Sequence, residues 1–518
     1  MTDPSYRADD WQSSWLSRRA LLSPHELAID WNGATLDYAE LNRRVDEMVS
    51  SLARIGVERG GVVAVHLSNG LAISLLVHAG FSGDFVLHLV NTRMRIPEIE
   101  FELRDSGARF FIHRAGDSEA EAVELNEGVV RIRLREAAGR CEFVDTEETE
   151  ETEEIQDQSA QGDCLVCGED LDLSAPRFIL YTSGTTGKPK GVVLSGNNFL
   201  ASASGSAALL GGVETEKWLL CLPVFHVGGL SILLRSVLAG SSVVLHEKFS
   251  PEQINHDLDR KRVTGISLVA SMLTGVLAER NAASSPPSLN CVLLGGGPVP
   301  ASLLATARDA GFPVALTYGL TEATSQVATR RPGDPIVSGL RPLEGTEIKI
   351  VDESGITQAR DHPGEICVRG GTVMSRYWDR PDATRDALRE GWLHTGDIGS
   401  IDRDGGLWVF DRRSDLIVSG GENVYPAEVE SVLLEHPAIA EAGVAGEDDE
   451  TYGQRPVAFL VSAADNLPDA ESLRAHCRDR LAGYKCPVKF IQVASLPRTA
   501  SGKLLRRKLS RGGNQADE

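Results

Sequence analysis

Lysine is scarce in this sequence of 518 residues: 10 of its 52 basic residues are lysine, and none precedes Lys188. The 74 acidic residues outnumber the basic ones and give a formal net charge of −22. A surface of this sign repels the phosphates of nucleic acids and of anionic membranes, which argues against a nucleic-acid partner. The acidic excess favours solubility, and adaptation to a host with high intracellular salt is an alternative explanation of the same charge.

The chain also lacks a long uninterrupted apolar run. The longest candidate, residues 71–90, is broken by His78, Asp84 and His88, whereas a membrane-spanning helix needs about 20 mainly uncharged residues. We therefore predict a buried helix followed by a strand in this region. The first 20 residues have no apolar core of the kind that directs secretion. These features predict a cytoplasmic protein without an integral membrane segment.

Cysteine is sparse and scattered, with eight residues spread over the whole length. This distribution argues against the dense disulfide framework of a small secreted domain and indicates free thiols in a reducing compartment. Cys164 and Cys167 have the spacing of a metal-binding pair, but no second pair or histidine cluster stands near them. A zinc site at this pair is therefore disfavoured.

Short β-rich runs alternate with helical patterns through most of the chain, which is typical of helices layered on mostly parallel sheets. We predict an α/β fold with a large N-terminal body of such layers over residues 1–411. An acidic stretch at about 142–172 is expected to be a solvated loop, because it cannot bury apolar area. Helical and strand patterns downstream of residue 426 predict a small α+β domain, residues 412–518.

A glycine- and lysine-containing loop follows the apolar run 178–181, which is predicted to be a buried strand. Glycines allow the backbone to wrap an anion closely, hydroxyls can donate to its oxygens, and two lysines neutralise charge. The pattern therefore predicts a polyphosphate cradle, and an ordinary flexible hairpin is the alternative. A P-loop is disfavoured because Gly184 and Gly187 are too close together and a proline follows Lys188. The cradle residues are Thr182, Ser183, Gly184, Thr185, Thr186, Gly187, Lys188 and Lys190.

Four further segments follow in a fixed order, at residues 317–322, 391–397, 411–416 and 497–503. Together with the loop, they resemble the signatures of the acyl-adenylate-forming superfamily, over nearly the whole chain. The resemblance implies a ligase that uses ATP and Mg²⁺ to convert a small-molecule carboxylic acid to an acyl-adenylate, and then to a coenzyme A thioester. It also implies that the small C-terminal domain is mobile, with a hinge at Ser414.

The resemblance assigns roles to residues of these segments. Lys503 is implied to supply positive charge during adenylation, since a carboxylate must attack a phosphate. Glu322 is implied to ligate Mg²⁺, and Thr321 to touch the α-phosphate. Asp397 could accept hydrogen bonds from both ribose hydroxyls. The other nucleotide and coenzyme A positions are Tyr318 and Gly319 at the adenine pocket, Arg412 at the ribose, and Gly420 and Gly421 in a pantetheine tunnel.

The segment 222–235 is the most informative about the acid. His226 occupies the position of the gate that the superfamily keeps between the acyl and nucleotide pockets. Arg235 lies nine residues later, about two and a half helical turns, so both side chains can line one cavity. A buried arginine requires an anionic partner, which a second carboxylate on the substrate would supply. Gly296 and Ser325 are further candidates for this pocket.

Three functions follow from these patterns. The first is a coenzyme A ligase for an acid with a second carboxylate, and the second is a ligase for another aryl or medium-chain acid. The third is a nucleotide-binding scaffold without catalysis, against which the presence of Lys503, Glu322 and Asp397 argues. A surface ion pair is the alternative for Arg235. The sequence is also compatible with a homo-oligomer.

Overall fold

The computed structural model describes most of the chain: residues 14–137, 140–146, 172–183, 189–211, 215–281, 283–297, 299, 301–335, 338–352, 354–411, 417–424, 426–463, 467–497, 506 and 509. Several predictions concern positions outside these ranges. They are the tip of the glycine- and lysine-containing loop, the Cys164–Cys167 pair, Arg412, Ser414 and Lys503.

The largest sheet has nine strands, and its central strands are parallel. In spatial order they are Arg341–Pro342, Ser325–Thr329, Val314–Leu320, Cys291–Leu294, Gly265–Leu268, Lys217–Leu220, Ser242–Leu245, Leu27–Trp31 and Ala34–Asp37. The strands at both edges pair antiparallel. The predicted parallel arrangement therefore holds for the centre of this sheet.

A second sheet of eight strands repeats this design, with a parallel centre and antiparallel edges. Its spatial order is Arg376–Tyr377, Pro189–Ser195, Pro176–Ser183, Val86–Leu89, Val62–His66, Phe110–Arg114, Val130–Ala137 and Arg140–Thr146. The strand Arg140–Thr146 corrects one prediction, because residues 142–146 were expected in the solvated loop. Phe143 and Cys141 pack against the core there, and this apolar contact outweighs the acidic local composition.

A third sheet is entirely antiparallel. Its strands are Thr346–Val351, Gly364–Gly370, Leu388–Arg389, Trp392–Ile401 and Leu407–Asp411. The α-helices of the N-terminal body are Trp15–Leu22, Tyr38–Arg54, Leu71–Ser82, Ile96–Ser106, Ser118–Glu121, Gly196–Leu210, Val227–Ala239, Pro251–Arg260, Ala270–Arg280, Ala301–Asp309 and Pro381–Ala387, and Thr321–Ala323 is a 3₁₀ turn.

A smaller C-terminal domain carries its own sheet and core. The strands are Ile417–Ser419, Glu422–Val424, Ile439–Asp449, Gly453–Ser462 and Lys489–Gln492, the helices are Pro426–Leu434 and Ala470–Arg478, and Gly483–Lys485 is a 3₁₀ turn. A separate cluster of buried residues, among them Val429, Leu460 and Leu473, lies between them. The predicted α/β fold with a large N-terminal body and a small α+β domain is confirmed.

Local sequence explains the buried helices. The helix Leu71–Ser82 is buried at every position, which is why the apolar run of this region has no polar face. Asp37 begins the helix Tyr38–Arg54 by accepting a hydrogen bond from the Glu40 backbone N–H at 2.8 Å. Within the part of the chain that the structure describes, no helix is long and apolar enough to cross a membrane.

Candidate functional site

Four neighbouring strands of the nine-stranded sheet end at one cavity. Their order in the sheet is Val314–Leu320, Cys291–Leu294, Gly265–Leu268 and Lys217–Leu220, and all four run parallel. Ligands of open α/β sheets bind at the carboxyl ends of the strands. The cavity measures about 180 Å³. The predicted residues on its wall are His226, Arg235, Gly296, Gly319, Thr321, Ser325, Gly420 and Gly421.

His226 and Arg235 lie on the same wall because one helix carries both. His226 is the N-cap residue of the helix Val227–Ala239, and its carbonyl accepts from the backbone N–H of Leu230 at 3.0 Å. His226 has extended backbone angles, so its imidazole lies at the N-terminal end of the helix, and 43% of the side chain is exposed. Arg235 lies nine residues further along the chain, about two and a half helical turns, and also lines the cavity.

Arg235 is held by an aromatic platform. Its guanidinium carbon lies 3.9 Å from the ring centroid of Trp218. The Trp218 indole in turn donates to Ser267 Oγ at 3.1 Å, which fixes the plane of the ring. Stacking on the indole stabilises the guanidinium cation at the cavity wall. Arg235 is half-buried and lines the cavity.

The C-terminal domain completes the cavity with a segment that contains Glu422. The carboxylate of Glu422 accepts from His226 Nε2 at 3.0 Å and forms an ion pair with Arg93. Burial acts to raise the pKa of Glu422, but the charges and hydrogen bond of His226 and Arg93 outweigh it and lower the pKa. Glu422 is therefore held as a carboxylate between two residues of the N-terminal body, His226 and Arg93.

Gly421 allows this approach of the two domains. Its φ of +84° lies in the left-handed region, and a Cβ atom would stand 2.9 Å from Val269 Cγ2. Val269 directly follows a strand of the nine-stranded sheet. Any side chain at residue 421 would thus be strained and would press against the N-terminal body.

The predicted nucleotide residues form a second group beside the cavity. Asp397 is buried and accepts from the Tyr318 hydroxyl at 2.6 Å. Glu322 accepts from the Tyr377 hydroxyl at 2.9 Å, and the Lys190 ammonium lies 5.3 Å from the Tyr377 ring centroid. Residues far apart in the sequence thereby present two carboxylates, two phenols and a cation to one region.

The turn that carries Thr321 and Glu322 depends on a close backbone contact. Gly319 stands against the Ser325 carbonyl, and a Cβ atom would lie 1.6 Å from that oxygen. Thr324 and Ser325 adopt positive φ angles of 50° and 82°. The chain thus reverses sharply from the strand Val314–Leu320 into its antiparallel neighbour, which leaves Thr321 at the cavity edge.

The glycine- and lysine-containing loop connects two antiparallel strands. Thr182 pairs with Lys190, and Ser183 pairs with Pro189. Residues 184–188, which include Gly184, Thr185, Thr186, Gly187 and Lys188, lie outside the described residues. The return into a strand excludes a P-loop, in which a helix would follow the lysine.

A buried ion-pair cluster joins the two domains. Lys485 of the C-terminal domain donates to Glu98 at 2.7 Å and to Glu428 at 2.8 Å. Burial acts to lower the pKa of Lys485, but Glu428 and Glu98 outweigh this effect and raise the pKa well above its ordinary value. Because Glu98 belongs to the N-terminal body, this cluster stabilises the arrangement in which Glu422 faces the cavity.

Sequence reasoning missed four residues of this region: Arg93, Trp218, Tyr377 and Lys485. None lies in a recognisable motif, and each acts through a partner distant in sequence. Lys485 carried a weak signal, because lysines are rare in this chain and its neighbour Cys486 is of a type that is usually buried.

Comparison with known proteins agrees with this geometry. The family described as AMP-binding enzyme matches residues 16–378, and its C-terminal domain matches residues 428–503. The chain therefore belongs to the AMP-binding enzyme family.

Among individual relatives, 2-succinylbenzoate–CoA ligase of Bacillus subtilis is 42% identical over 501 residues, covering 96% of this chain and 97% of the relative. The same ligase of Geobacillus kaustophilus has the same identity and coverage. The sequence of the segments 222–235, 294–298, 321–326 and 411–426 resembles that of 2-succinylbenzoate–CoA ligase, and the comparison confirms this resemblance.

Solved structures give the same result. A double mutant of o-succinylbenzoate CoA synthetase from Bacillus subtilis, bound to a product analogue, has a TM-score of 0.85 at 40% identity, with 97% and 99% of the two chains covered. The same synthetase in complex with its acyl-adenylate intermediate has a TM-score of 0.69 at 39% identity, with 98% and 99% covered. Because the coverage is nearly the same in both comparisons, the higher TM-score indicates that this chain is arranged more like the product-analogue complex.

Proposed function

We propose that this chain is an ATP-dependent ligase that converts 2-succinylbenzoate to 2-succinylbenzoyl-coenzyme A, a step of menaquinone biosynthesis, with release of AMP and pyrophosphate. The observation that carries the proposal is the cavity at the carboxyl edge of the sheet. It has Arg235 on its wall and is completed by Glu422 from the C-terminal domain. The relatives named above carry the same activity in their names over nearly the full length of the chain.

In the first half-reaction, a carboxylate oxygen of the acid attacks the α-phosphorus of ATP, and pyrophosphate leaves. Lys503 and the loop lysines Lys188 and Lys190 offset the charge that accumulates on the phosphates. Thr321 contacts the α-phosphate at the cavity edge. The remaining contacts are assigned to Asp397 and Arg412 at the ribose, to Tyr318 and Gly319 at the adenine, and to Thr182, Ser183, Gly184, Thr185, Thr186 and Gly187 at the phosphates.

Mg²⁺ fits the donor set beside the cavity. The ion prefers oxygen ligands and is usually bound through one or two carboxylates together with substrate phosphates. Glu322 is buried, and one of its oxygens accepts from Tyr377, so that the orientation of the carboxylate is fixed. When bound, the ion neutralises phosphate charge. Glu322 would hold it, and Tyr377 would keep that carboxylate in place.

In the second half-reaction, the thiol of coenzyme A attacks the acyl carbonyl, and AMP leaves. The segment with Gly420 and Gly421 forms part of the tunnel for the pantetheine arm, since glycines tolerate close approach of a ligand. His226 separates the acyl and nucleotide pockets, and Glu422 holds its imidazole. The higher similarity to the product-analogue complex supports the assignment of the present arrangement to this half-reaction.

The acid is bound by the deeper part of the cavity. One carboxylate is activated near Thr321, and the second accepts hydrogen bonds from Arg235. Gly296 and Ser325 line the space between them. A pocket for an aliphatic acid would be apolar throughout. An arginine in the pocket is explained by an aromatic acid that carries a second carboxylate.

Alternation between the half-reactions requires the C-terminal domain to rotate. We place the boundary between residues 411 and 412, with the hinge at Ser414, because the last strand of the N-terminal body ends at Asp411 and the sheet of the small domain begins at Ile417. Rotation must break the Lys485 contact with Glu98, and both contacts of Glu422. The cytoplasm is the compartment that supplies ATP and coenzyme A.

Exchange of labelled pyrophosphate into ATP with a panel of acids tests this function. We expect exchange with 2-succinylbenzoate, and little with benzoate or octanoate, because neither has a second carboxylate for Arg235. Turnover with benzoate or octanoate and none with 2-succinylbenzoate would favour a ligase for another aryl or medium-chain acid. Absence of exchange with every acid would contradict the ligase function and favour a non-catalytic nucleotide-binding scaffold.

Replacement of Glu422 with glutamine tests the assignment of the present arrangement. The amide keeps the shape but removes the charge that pairs with Arg93 and His226, so the thioester-forming arrangement loses stability. We expect thioester formation from preformed adenylate to slow by roughly tenfold, with pyrophosphate exchange unchanged. Glu435→Gln, at an exposed pair with Arg480, is the control. Equal slowing of both half-reactions would show that Glu422 acts on folding and not on the arrangement.

A further inference from the structure

Three potential metal ligands lie together on the antiparallel third sheet, and none of them lines the cavity described above. Cys367 lies on the strand Gly364–Gly370, and its register partner on the strand Trp392–Ile401 is His394. Glu365 lies two residues before Cys367, so that its side chain points to the same face of the sheet. Within the described part of the chain, this is the group of histidine, cysteine and acidic side chains whose donor atoms all lie within 4.8 Å of one another.

The donor atoms of the group lie close enough together for one ion to contact all three. His394 Nδ1 lies 3.4 Å from Cys367 Sγ and 2.9 Å from Glu365 Oε2. When Nδ1 carries a proton and donates it to Glu365, the ring offers no lone pair at that nitrogen to the Cys367 thiol. A cation between the three atoms would instead satisfy all of them at once.

The sulfur–nitrogen distance agrees with tetrahedral coordination, whereas the 2.9 Å between His394 Nδ1 and Glu365 Oε2 is a hydrogen-bond distance that would have to lengthen to about 3.3 Å when a metal binds. With Zn–S of about 2.3 Å and Zn–N of about 2.0 Å, tetrahedral geometry places sulfur and nitrogen about 3.5 Å apart, close to the observed separation. We propose that Glu365, Cys367 and His394 form a binding site for a thiophilic divalent cation of the zinc class, with water as the fourth ligand. Binding takes the thiolate, and the thiol proton is released to solvent.

Burial and access fit such a site. Cys367 is fully buried, whereas the side chains of His394 and Glu365 are 13% and 29% exposed. The metal can therefore enter from the solvent side and keep one water. Burial, together with Glu365, raises the pKa of Cys367 to about 12, and the nearby cations Lys349 and Arg389 act in the opposite direction. These cations oppose metal binding, and the thiolate and carboxylate charges must offset them.

The site adjoins the turn that carries Asp397. Glu365 Oε1 accepts from the Gly396 backbone N–H at 2.8 Å, while Oε2 is the atom that faces His394. A cation on Oε2 leaves the contact with Gly396 intact. Metal occupancy would thus link the two strands without displacing the backbone next to Asp397. The proposal does not depend on the proposed ligase activity.

Titration with Co²⁺ tests the site, because cobalt replaces zinc and gives visible absorption together with a near-ultraviolet thiolate-to-cobalt band. The protein should be untagged, free of nucleotide, and carry Cys164→Ser and Cys167→Ser, since that pair also has metal-like spacing. We expect the charge-transfer band to saturate at one equivalent and to disappear on addition of Zn²⁺. Cys367→Ser should abolish the band, and Cys141→Ser, at a half-buried thiol, should leave it unchanged.

His394→Gln provides a second variant in which the thiol remains, and it should weaken Co²⁺ binding at least tenfold. Circular dichroism and the melting temperature without metal show whether each variant is folded. Zn²⁺ should raise the melting temperature of the parent protein and not that of a folded Cys367→Ser variant. A parent protein without the charge-transfer band, or a band that persists in Cys367→Ser, would overturn the proposal.

Discussion

Replacement of Lys503 with alanine is expected to abolish adenylate formation while thioester formation from preformed adenylate continues. The attack of a carboxylate on the α-phosphorus brings two anions together, and a lysine supplies charge where it accumulates. The loss of one such donor costs about 10²- to 10³-fold in rate. Pyrophosphate exchange measures the first half-reaction, and release of AMP from chemically prepared acyl-adenylate with coenzyme A measures the second.

Lys508→Ala is the matched control, because this lysine lies five residues further in the same basic segment. It should leave both half-reactions within about twofold of the unmodified protein, because the resemblance assigns this lysine no role in either step. Equal loss of both half-reactions in Lys503→Ala would contradict a role confined to adenylation. Retention of exchange would remove Lys503 from the site.

Replacement of Arg235 with leucine is expected to raise the KM for 2-succinylbenzoate by about 30-fold or more. The estimate takes the lower end of about 2–5 kcal/mol for truncation of a partly buried charge that pairs with a ligand, because Arg235 is only half-buried. Leucine keeps apolar contact with Trp218 but offers no donor to the second carboxylate. Pyrophosphate exchange as a function of acid concentration gives the measurement.

Two comparisons make this test specific. Arg235→Lys keeps the charge but not the planar stacking on Trp218, so its KM should lie between those of the unmodified protein and the leucine variant. Arg308→Leu changes an arginine whose side chain is 65% exposed, and should have no effect. An acid with a single carboxylate should lose no affinity in Arg235→Leu. An unchanged KM for 2-succinylbenzoate would show that Arg235 does not bind the acid.

The sequence was most informative where chemistry is carried by contiguous residues. The order of strands and helices follows from local periodicity, and the predicted parallel sheets appear with antiparallel strands only at their edges. The prediction of a solvated loop at residues 142–146 was wrong. It rested on the acidic composition alone, whereas Phe143 packs against the hydrophobic core. Local composition cannot show which surface a strand will meet.

The sequence by itself indicated the class of reaction, because the glycine- and lysine-containing loop and the Asp397 turn are short contiguous motifs that resemble those of a known superfamily. Only the tertiary structure decided which side chains join the two domains at the cavity. Glu422 meets Arg93 across 329 positions, and Lys485 meets Glu98 across 387. Such pairs leave no periodic signal in the chain, since burial and charge partners arise only when distant segments pack together.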